Sequence, residues 1–299
     1  NVTFQSRYAR SIQAALMAAI IVSGGLLVRS ARDVESDIVY QTRNFYGVLT
    51  VGRDFAGTNK ESLWLRNGSS YHGAQLASPD YRLRPTAYYA PRSGVALAMN
   101  FSENIPARRI GMVGLGVGTI ASYAGTGDYL RIYEINPEVV RIAKQRFTFL
   151  AETEANVDVI IGDARLSLEQ ESPQAFDDFI LDAFSSDAIP VHLLTREAFD
   201  LYLRHLAPDG VIAVLISSWH FDFEPLLQEM AEELGLNAVH IRNASGDGQN
   251  WGARWMILTR NEQFMNQKRV RKALQKTARS ERDVRLWTDD FSSPFQLLK

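Results

Sequence analysis

The clearest hydrophobic pattern follows Pro106, where short apolar runs alternate with helical stretches as far as about residue 260. This alternation is typical of a parallel sheet covered by helices on both faces, so we expect a doubly wound α/β domain with seven strands. Two helices have clear starts, because Asn136-Pro137 and Thr195 precede the helical patterns of Glu138–Leu150 and Arg196–Leu206. The predicted strands are Ile110–Val113, Leu130–Glu134, Val157–Ile161, Phe179–Asp182, Val211–Ile216, Ala238–Ile241 and Trp255–Thr259.

The chain before this domain divides into two parts. Residues 33–100 are rich in strand-forming residues and turns, and Asn67-Gly68 is a strong hairpin signal, so we expect a small β-rich N-terminal domain. Residues 1–32 contain the apolar run Ile12–Val28 with arginines on both sides. We interpret this run as a membrane helix or anchor, with a signal peptide and a buried helix as alternatives.

The pattern after the last predicted strand is helical and locally basic. We therefore take residues 101–260 as the α/β domain and 261–299 as a helical, basic C-terminal segment, with the helical pattern running from Glu262 to Arg285. Its basic side chains are expected either on a solvated helix face or against anionic lipid.

Composition removes several chemistries. The chain has 299 residues, a net charge of -2 and no cysteine, which excludes disulfides and thiolate nucleophiles and gives no reason to expect a nucleic-acid partner. The five histidines show no metal-ligand spacing, so we expect no metal site.

A glycine-rich turn follows the first strand of the α/β domain. Gly114, Gly116 and Gly118 allow close approach of backbone to a ligand, although nicotinamide enzymes have similar turns. The next two strands end at acids, Glu134 and Asp163, and ligands of such sheets bind at the carboxyl ends of the strands. We therefore expect an adenosyl group in this crevice, with Glu134 on the ribose hydroxyls and Asp163 on the adenine amino group or, alternatively, capping a helix.

The fourth strand leads into an acid-rich loop, Asp182-Ala-Phe-Ser-Ser-Asp187. With the glycine turn and the two acids, this run resembles the spermidine/spermine synthase family, and especially its bacterial branch fused to membrane helices. The resemblance implies a Rossmann-like fold of the S-adenosylmethionine-dependent methyltransferase type. It also implies S-adenosylmethionine or its decarboxylated form as co-substrate. The expected donor-binding residues are Gly114, Gly116, Gly118, Glu134, Ile135, Asp163, Ala164, Asp182 and Gln75. The resemblance implies Asp187 and Asp182 as catalytic residues, and we add His72 because a histidine titrates near neutral pH and could take a proton from the nucleophile.

The acceptor side departs from the family. Family members carry an aspartate in the glycine turn for the aminopropyl amine of the donor, where this chain reads Gly116-Val117-Gly118. A dicationic amine needs carboxylate partners, since a buried unpaired ammonium is costly. We expect the acceptor to meet polar and aromatic groups instead: Tyr88, Tyr89, His192 and His220, together with His72 and Gln75.

These features predict transfer of an aminopropyl or related alkyl group to a small-molecule amine or other nucleophile, with release of methylthioadenosine. Methyl transfer and breakdown of the donor by a lyase or cyclase reaction remain open, as does a non-catalytic membrane module that binds adenosyl ligands. A nicotinamide dehydrogenase is a weaker rival. We expect association with the bacterial inner membrane, with the catalytic domain in the cytoplasm, and leave a homodimer as an option.

Overall fold

The computed structural model describes residues 12–13, 15–26, 38–183, 190–246, 250–275, 280 and 282–299. Residues 12–13 and 15–26 are helical, and we label this element α1. In this part of the chain, no helix combines the length and apolar character that crossing a bilayer requires. The membrane localisation expected from the apolar run is therefore contradicted, and the membrane helix is not confirmed.

Four strands form a small antiparallel sheet near the N-terminus. They are β1 (Ile38–Asn44), β2 (Gly47–Asp54), β3 (Ser62–Asn67) and β4 (Ser70–Leu76), and they pair in chain order. The hairpin between β3 and β4 pairs Asn67 with Ser70, and Gly68 in its loop has a φ of 57°. The turn indicated by Asn67-Gly68 is therefore present.

The large sheet contains all seven strands that the pattern predicts. They are β5 (Arg109–Val113), β6 (Tyr129–Glu134), β7 (Asn156–Ile161), β8 (Phe176–Leu181), β9 (Leu206–Leu215), β10 (Asn237–Asn243) and β11 (Ala253–Thr259). Their spatial order is β7-β6-β5-β8-β9-β11-β10, and β11 runs antiparallel to both of its neighbours. Hydrophobic runs alone did not indicate this direction, because a buried strand has the same composition either way.

Helices cover both faces of the large sheet. Alternate residues of β8 enter different hydrophobic clusters, with Ile180 on one face and Phe179 and Leu181 on the other. This two-sided burial explains why the strands are almost continuously apolar. The helices are α2 (Gly94–Phe101), α3 (Pro137–Arg146), α4 (Phe149–Glu152), α5 (Ala164–Gln170), α6 (Arg196–His205), α7 (Glu224–Glu233), α8 (Glu262–Met265) and α9 (Lys268–Leu274).

The small sheet is bonded to the first helices of the large domain. Asn44 Nδ2 donates to Asn136 Oδ1 at 2.6 Å, and the Tyr40 hydroxyl donates to Glu138 Oε1 at 3.0 Å. Asn136 also caps α3, since its side chain accepts from the backbone N–H of Glu138. These bonds hold the small sheet beside the end of β6.

The C-terminal segment is helical only in part. Helix α9 ends at Leu274, whereas the pattern predicts helix as far as Arg285. Residues 282–299 pack against the domain instead, with Val284 and Trp287 buried. The backbone N–H of Arg196 donates to the carbonyl of Trp287 at 2.9 Å. Burial of apolar side chains in extended chain replaces the predicted last helical turns.

Candidate active site

The crevice lies where the chain order of the large sheet reverses. The chain runs from β5 outward through β6 and β7 and then returns to β8 on the other side of β5. The ends of β5 and β8 are bonded, because Asp182 N donates to the carbonyl of Val113 at 2.9 Å. Open α/β sheets bind their ligands at such a switch point.

The glycine turn after β5 requires glycine for two separate reasons. Gly114 has a φ of 88°, and a Cβ there would lie 2.1 Å from the carbonyl oxygen of Asp182. Gly116 has a φ of 55°, and a Cβ would lie 2.4 Å from the carbonyl oxygen of His72. The turn thus needs left-handed backbone and allows β8 and β4 to approach it. Gly118, with a φ of 87°, precedes a short 3-10 helix, Thr119–Tyr123.

Glu134 ends β6 with its carboxylate turned toward the glycine turn. Its Oε2 accepts from the N–H of Leu115 at 2.9 Å, and its Oε1 accepts from the N–H of Asn136 at 2.8 Å. Burial raises the pKa of Glu134, while these two N–H groups favour the charged form. Each oxygen retains a second lone pair, so the carboxylate could also accept ligand hydroxyls.

Apolar side chains are exposed beside this carboxylate at the ends of β6 and β7. Ile135 is 45% exposed, Ile161 is 58% exposed, and Leu166 in the first turn of α5 is 58% exposed. Ala164, which begins α5, is buried. Exposed aliphatic side chains next to a carboxylate that can accept hydrogen bonds suit a flat, partly apolar ligand such as a nucleoside.

Asp163 follows β7 and caps α5. Its Oδ1 accepts from the N–H of Leu166 at 3.0 Å, and its Oδ2 lies 2.9 Å from His192 Nε2. Gly162 N donates to the carbonyl of Glu134 at 3.0 Å, so the two acids stand at neighbouring strand ends. His192 is therefore hydrogen-bonded to Asp163 in the structure. The expected contact of His192 with the acceptor substrate remains a prediction.

Asp182 is the acid at the end of β8. It is half-buried, and its Oδ2 accepts from the Tyr89 hydroxyl at 2.5 Å. Burial raises the pKa of Asp182 to about 6, and the bond from Tyr89 acts in the opposite direction. Burial, with the charge of Asp182, raises the pKa of Tyr89. The second predicted catalytic acid, Asp187, lies outside the described residues.

His72 and Gln75 lie on the same strand, β4, in different surroundings. Burial lowers the pKa of His72 to about 4, and its buried Nε2 has no hydrogen-bond partner within the described part of the chain. Gln75 is fully engaged, since its Nε2 donates to the Thr148 hydroxyl at 2.9 Å and its Oε1 accepts from Thr148 N at 2.9 Å. Gln75 joins the small sheet to α4, and its role toward the donor is untested.

A wide groove, about 2040 Å³ in volume, opens from Gly116 and Asp182 toward β10 and β11. His72, Tyr88 and His220 line it, as does Trp251, which the sequence analysis missed. Trp251 lies at the centre of an aromatic wall, with ring centroids 5.1 Å from Tyr88 and 5.2 Å from Tyr71. The only signal in the sequence was its position just before β11. Across the described residues, no group of three His, Asp or Glu side chains could hold a metal ion.

Comparisons with known proteins agree with this architecture. The polyamine aminopropyltransferase of Vibrio vulnificus is 34% identical over 186 residues, which cover 60% of this chain and 58% of that protein. The structure of a probable spermidine synthase from Corynebacterium glutamicum gives a TM-score of 0.59 at 18% identity, covering 79% of this chain and 86% of that chain. Over these 186 residues the chain is similar to a polyamine aminopropyltransferase. Its fold is a methyltransferase-like Rossmann fold with a small N-terminal antiparallel sheet.

This similarity has limits. The chain spans less than two thirds of the length of the Vibrio protein, and no family model matches it. The N-terminal histidine N-methyltransferase of Emericella nidulans is 29% identical over 160 residues, which cover 50% of this chain and 27% of that protein. Membership of the branch fused to membrane helices is not established.

Proposed function

We propose that this protein is a transferase that takes S-adenosylmethionine, or its decarboxylated form, as donor. It passes an aminopropyl or related alkyl group to an amine or other nucleophile and releases methylthioadenosine. The carboxylate of Glu134, held against the glycine turn at the switch point, is the observation that carries this proposal. The similarity to the Vibrio aminopropyltransferase supports the same reaction class.

The residues around the glycine turn fit an adenosyl donor. Glu134 would accept the ribose hydroxyls, because its oxygens are fixed by backbone N–H groups and retain accepting capacity. Ile135 would pack against the adenine, and Asp163 with Ala164 would lie at its edge. The donor's sulfonium would then lie toward Asp182, across the junction of β5 and β8.

The chemical step is a displacement at carbon. The nucleophile forms a bond to a carbon attached to the sulfonium, the carbon–sulfur bond breaks with its electron pair going to sulfur, and the nucleophile loses a proton to a base. A sulfonium is already a good leaving group, so the protein aligns the attack and keeps the nucleophile unprotonated. Asp187 and Asp182 are the proposed bases, with His72 as a further acceptor of the proton.

Methyl transfer is a second candidate, favoured by two observations. Val117, in the middle of the glycine turn, is buried, and a Cβ on Gly73 would lie 2.6 Å from its Cγ2. Its side chain therefore packs on β4 and offers no charge to a donor amine. The similarity to a histidine N-methyltransferase points the same way.

Product analysis separates these reactions. The protein is incubated with S-adenosylmethionine and, in parallel, with its decarboxylated form, together with a panel of nucleophiles, and the products are identified by mass spectrometry. Methylthioadenosine with an alkylated acceptor would support the proposal, whereas S-adenosylhomocysteine would establish methylation. Methylthioadenosine without any acceptor would indicate a lyase or cyclase. No product would contradict both transfer reactions.

Two variants test the proposed roles of Asp187 in catalysis and of Glu134 in donor binding. We expect Asp187→Ala to abolish turnover while sparing donor binding, and Glu134→Ala to weaken donor binding by about 10- to 100-fold, since hydrogen bonds to a charged group contribute roughly 1.5–3 kcal/mol. Isothermal titration with the donor measures the second effect. Glu154→Ala, at an exposed acid away from the crevice, is the control. Unchanged binding in Glu134→Ala would refute its assignment.

A further inference from the structure

The acceptor side of the crevice has an unusual balance of charge. Among the described residues that line the groove, Asp182 is the only acid. Seven cations line the same groove, although the whole chain carries a net charge of -2. They are Arg84, Arg92, Arg242, Arg254, Arg269, Lys272 and Lys299.

Two of these cations already have partners. Arg254 Nη2 lies 2.9 Å from Asp222 Oδ1 and 3.4 Å from Glu224 Oε2, and the Lys299 ammonium donates to the carbonyl of Ser218. The other five are exposed, and none forms an ion pair with an acidic side chain in the described ranges. We call these five the basic rim: Arg84, Arg92, Arg242, Arg269 and Lys272.

The basic rim is assembled from separate parts of the chain. Arg84 and Arg92 flank the turn before α2, Arg242 lies on β10, and Arg269 and Lys272 lie on α9. A solvated helix face would explain the last two but not the convergence of three elements on one opening. Five further charges belong to the segments after residue 183 that lie outside the described residues, on Asp187, Asp247, Lys276, Arg279 and Glu281, and they sum to -1.

The floor of the groove differs from its rim. His72 is largely neutral above its lowered pKa, and Asp182 is partly withdrawn from solvent by Tyr89. Tyr71, Tyr88 and Trp251 form a wall between floor and rim. A molecule that reached the floor with a nucleophile would therefore place its other end among cations.

A dicationic polyamine would meet like charge at this entrance, where a low-dielectric wall strengthens the repulsion. An anion would be attracted, and its local concentration would rise. We infer that the acceptor is a small molecule that carries a carboxylate or phosphate group in addition to its nucleophile. This inference rests on the proposed transferase function and specifies its substrate class.

Isothermal titration without donor, at low ionic strength, tests the rim directly. The probes are citrate and inorganic phosphate as anions and putrescine as a dication. We expect at least one anion to bind more tightly than putrescine. We also expect its Kd to rise at least tenfold in the double variant Arg269→Glu/Lys272→Glu. Preference for citrate would indicate a carboxylate acceptor, and preference for phosphate would indicate a phosphorylated one.

The matched control is Lys144→Glu/Arg204→Glu, which makes the same charge change in the last turns of α3 and α6, outside the groove. It should leave anion binding within about twofold of the parent protein. Putrescine binding at least as tight as both anions would overturn the inference, as would anion binding that survives the rim variant. Equal thermal unfolding midpoints for the two double variants exclude misfolding as the cause.

Donor binding is measured separately, so the two proposals fail independently. If S-adenosylmethionine binds and the anions do not, the transferase proposal stands and the inference about its acceptor is wrong. If the anions bind at the rim and neither form of the donor binds, the transferase proposal is wrong. The bound anion could then not be interpreted as part of an acceptor substrate. A rise in KM for an anionic acceptor in the rim variant, with kcat within about twofold, would support both.

Discussion

The two halves of the crevice use their charged side chains in opposite ways. On the half proposed to bind the donor, which we call the donor half and which is formed by β5, β6 and β7, Glu134 and Asp163 accept from backbone N–H groups of neighbouring turns. On the half proposed to bind the acceptor, which we call the acceptor half and which is formed by β4, β8 and the strands beyond, the cations of the basic rim form no ion pair with an acidic side chain in the described residues. The donor half is thus organised before ligand arrives, whereas the charge of the acceptor half is available to a ligand.

This difference suggests which half determines the substrate. A prebuilt carboxylate at a strand end suits a donor shared by many enzymes, while groups from distant segments can change independently of it. Asp182 lies at the boundary, since it faces the groove and is bonded through its backbone to β5. Variants at this boundary and on each half should therefore have different effects.

The largest effect is expected at the boundary. Asp182→Asn removes the charge while keeping the shape, and we expect kcat to fall by about 10²- to 10⁴-fold, the usual contribution of a general base. Donor binding should weaken by less than kcat falls, because the ribose contacts proposed for Glu134 lie on the other half. Steady-state kinetics and donor titration measure both effects.

Asp178→Asn is the matched control for Asp182→Asn. Asp178 is on the same strand and burial raises its pKa to about 7, but it lies at the opposite end, bonded to the Ser102 hydroxyl. We expect the control to keep kcat within about threefold. Equal losses in the two variants would show that a general effect on β8, and no special role of Asp182, explains the result.

The second effect concerns the donor half. Gly114→Ala forces a left-handed residue against the carbonyl of Asp182, whereas Gly127→Ala has nearly the same φ, 89°, with open space around it. We expect the free energy of unfolding to fall by roughly 1–2 kcal/mol for Gly127→Ala. For Gly114→Ala we expect a loss on the order of 3 kcal/mol or more, together with loss of donor binding.

Denaturant unfolding of the two glycine variants measures this difference. Equal losses would mean that only backbone conformation matters at Gly114 and that β8 moves aside without cost. A larger loss for Gly114→Ala would confirm that the turn and β8 are packed as one unit.

The donor half could be predicted from sequence because each of its parts follows a strand in the same way. The glycine turn, Glu134 and Asp163 all occur at a change from an apolar run to a helix start, so topology alone brings them together. The acceptor half was predicted only in part. His72, Tyr88 and His220, which the sequence indicated, line the groove, whereas Trp251 and the rim arginines come from segments whose proximity depends on the whole fold.

Predictions from local sequence patterns also failed where a tertiary contact determines the backbone conformation. The helix predicted over Glu138–Leu150 is broken after Arg146, because Thr148 N donates to Gln75 Oε1 on the small sheet. The apolar run near the N-terminus has the composition of a span without a helix of sufficient length in the described residues. The break after Arg146 comes from reading a segment without its neighbours.

The smallest expected effect is a shift in the pH dependence of kcat/KM, caused by a change in the pKa of Asp182 at the boundary between the two halves. If ionised Asp182 is required, kcat/KM should fall as pH drops through about 6, its raised pKa in the folded protein. The Tyr89 hydroxyl lowers that pKa, so Tyr89→Phe should move the acidic limb to higher pH. The shift should be up to about one unit, since a hydrogen bond to a charged group contributes on the order of 1.5 kcal/mol.

Tyr123→Phe tests whether that shift is specific. Its hydroxyl donates to the carbonyl of Tyr89 at 2.5 Å, so the variant removes a phenol from the same cluster without removing the bond to Asp182. The limb should then stay within about 0.3 units of the parent protein. Equal shifts in both variants would trace the limb to loosened packing around Tyr89. If the acidic limb of the kcat/KM profile moved in neither variant, another group, such as Asp187, would be the one that titrates. The base would then be assigned to the acid-rich loop instead of the end of β8.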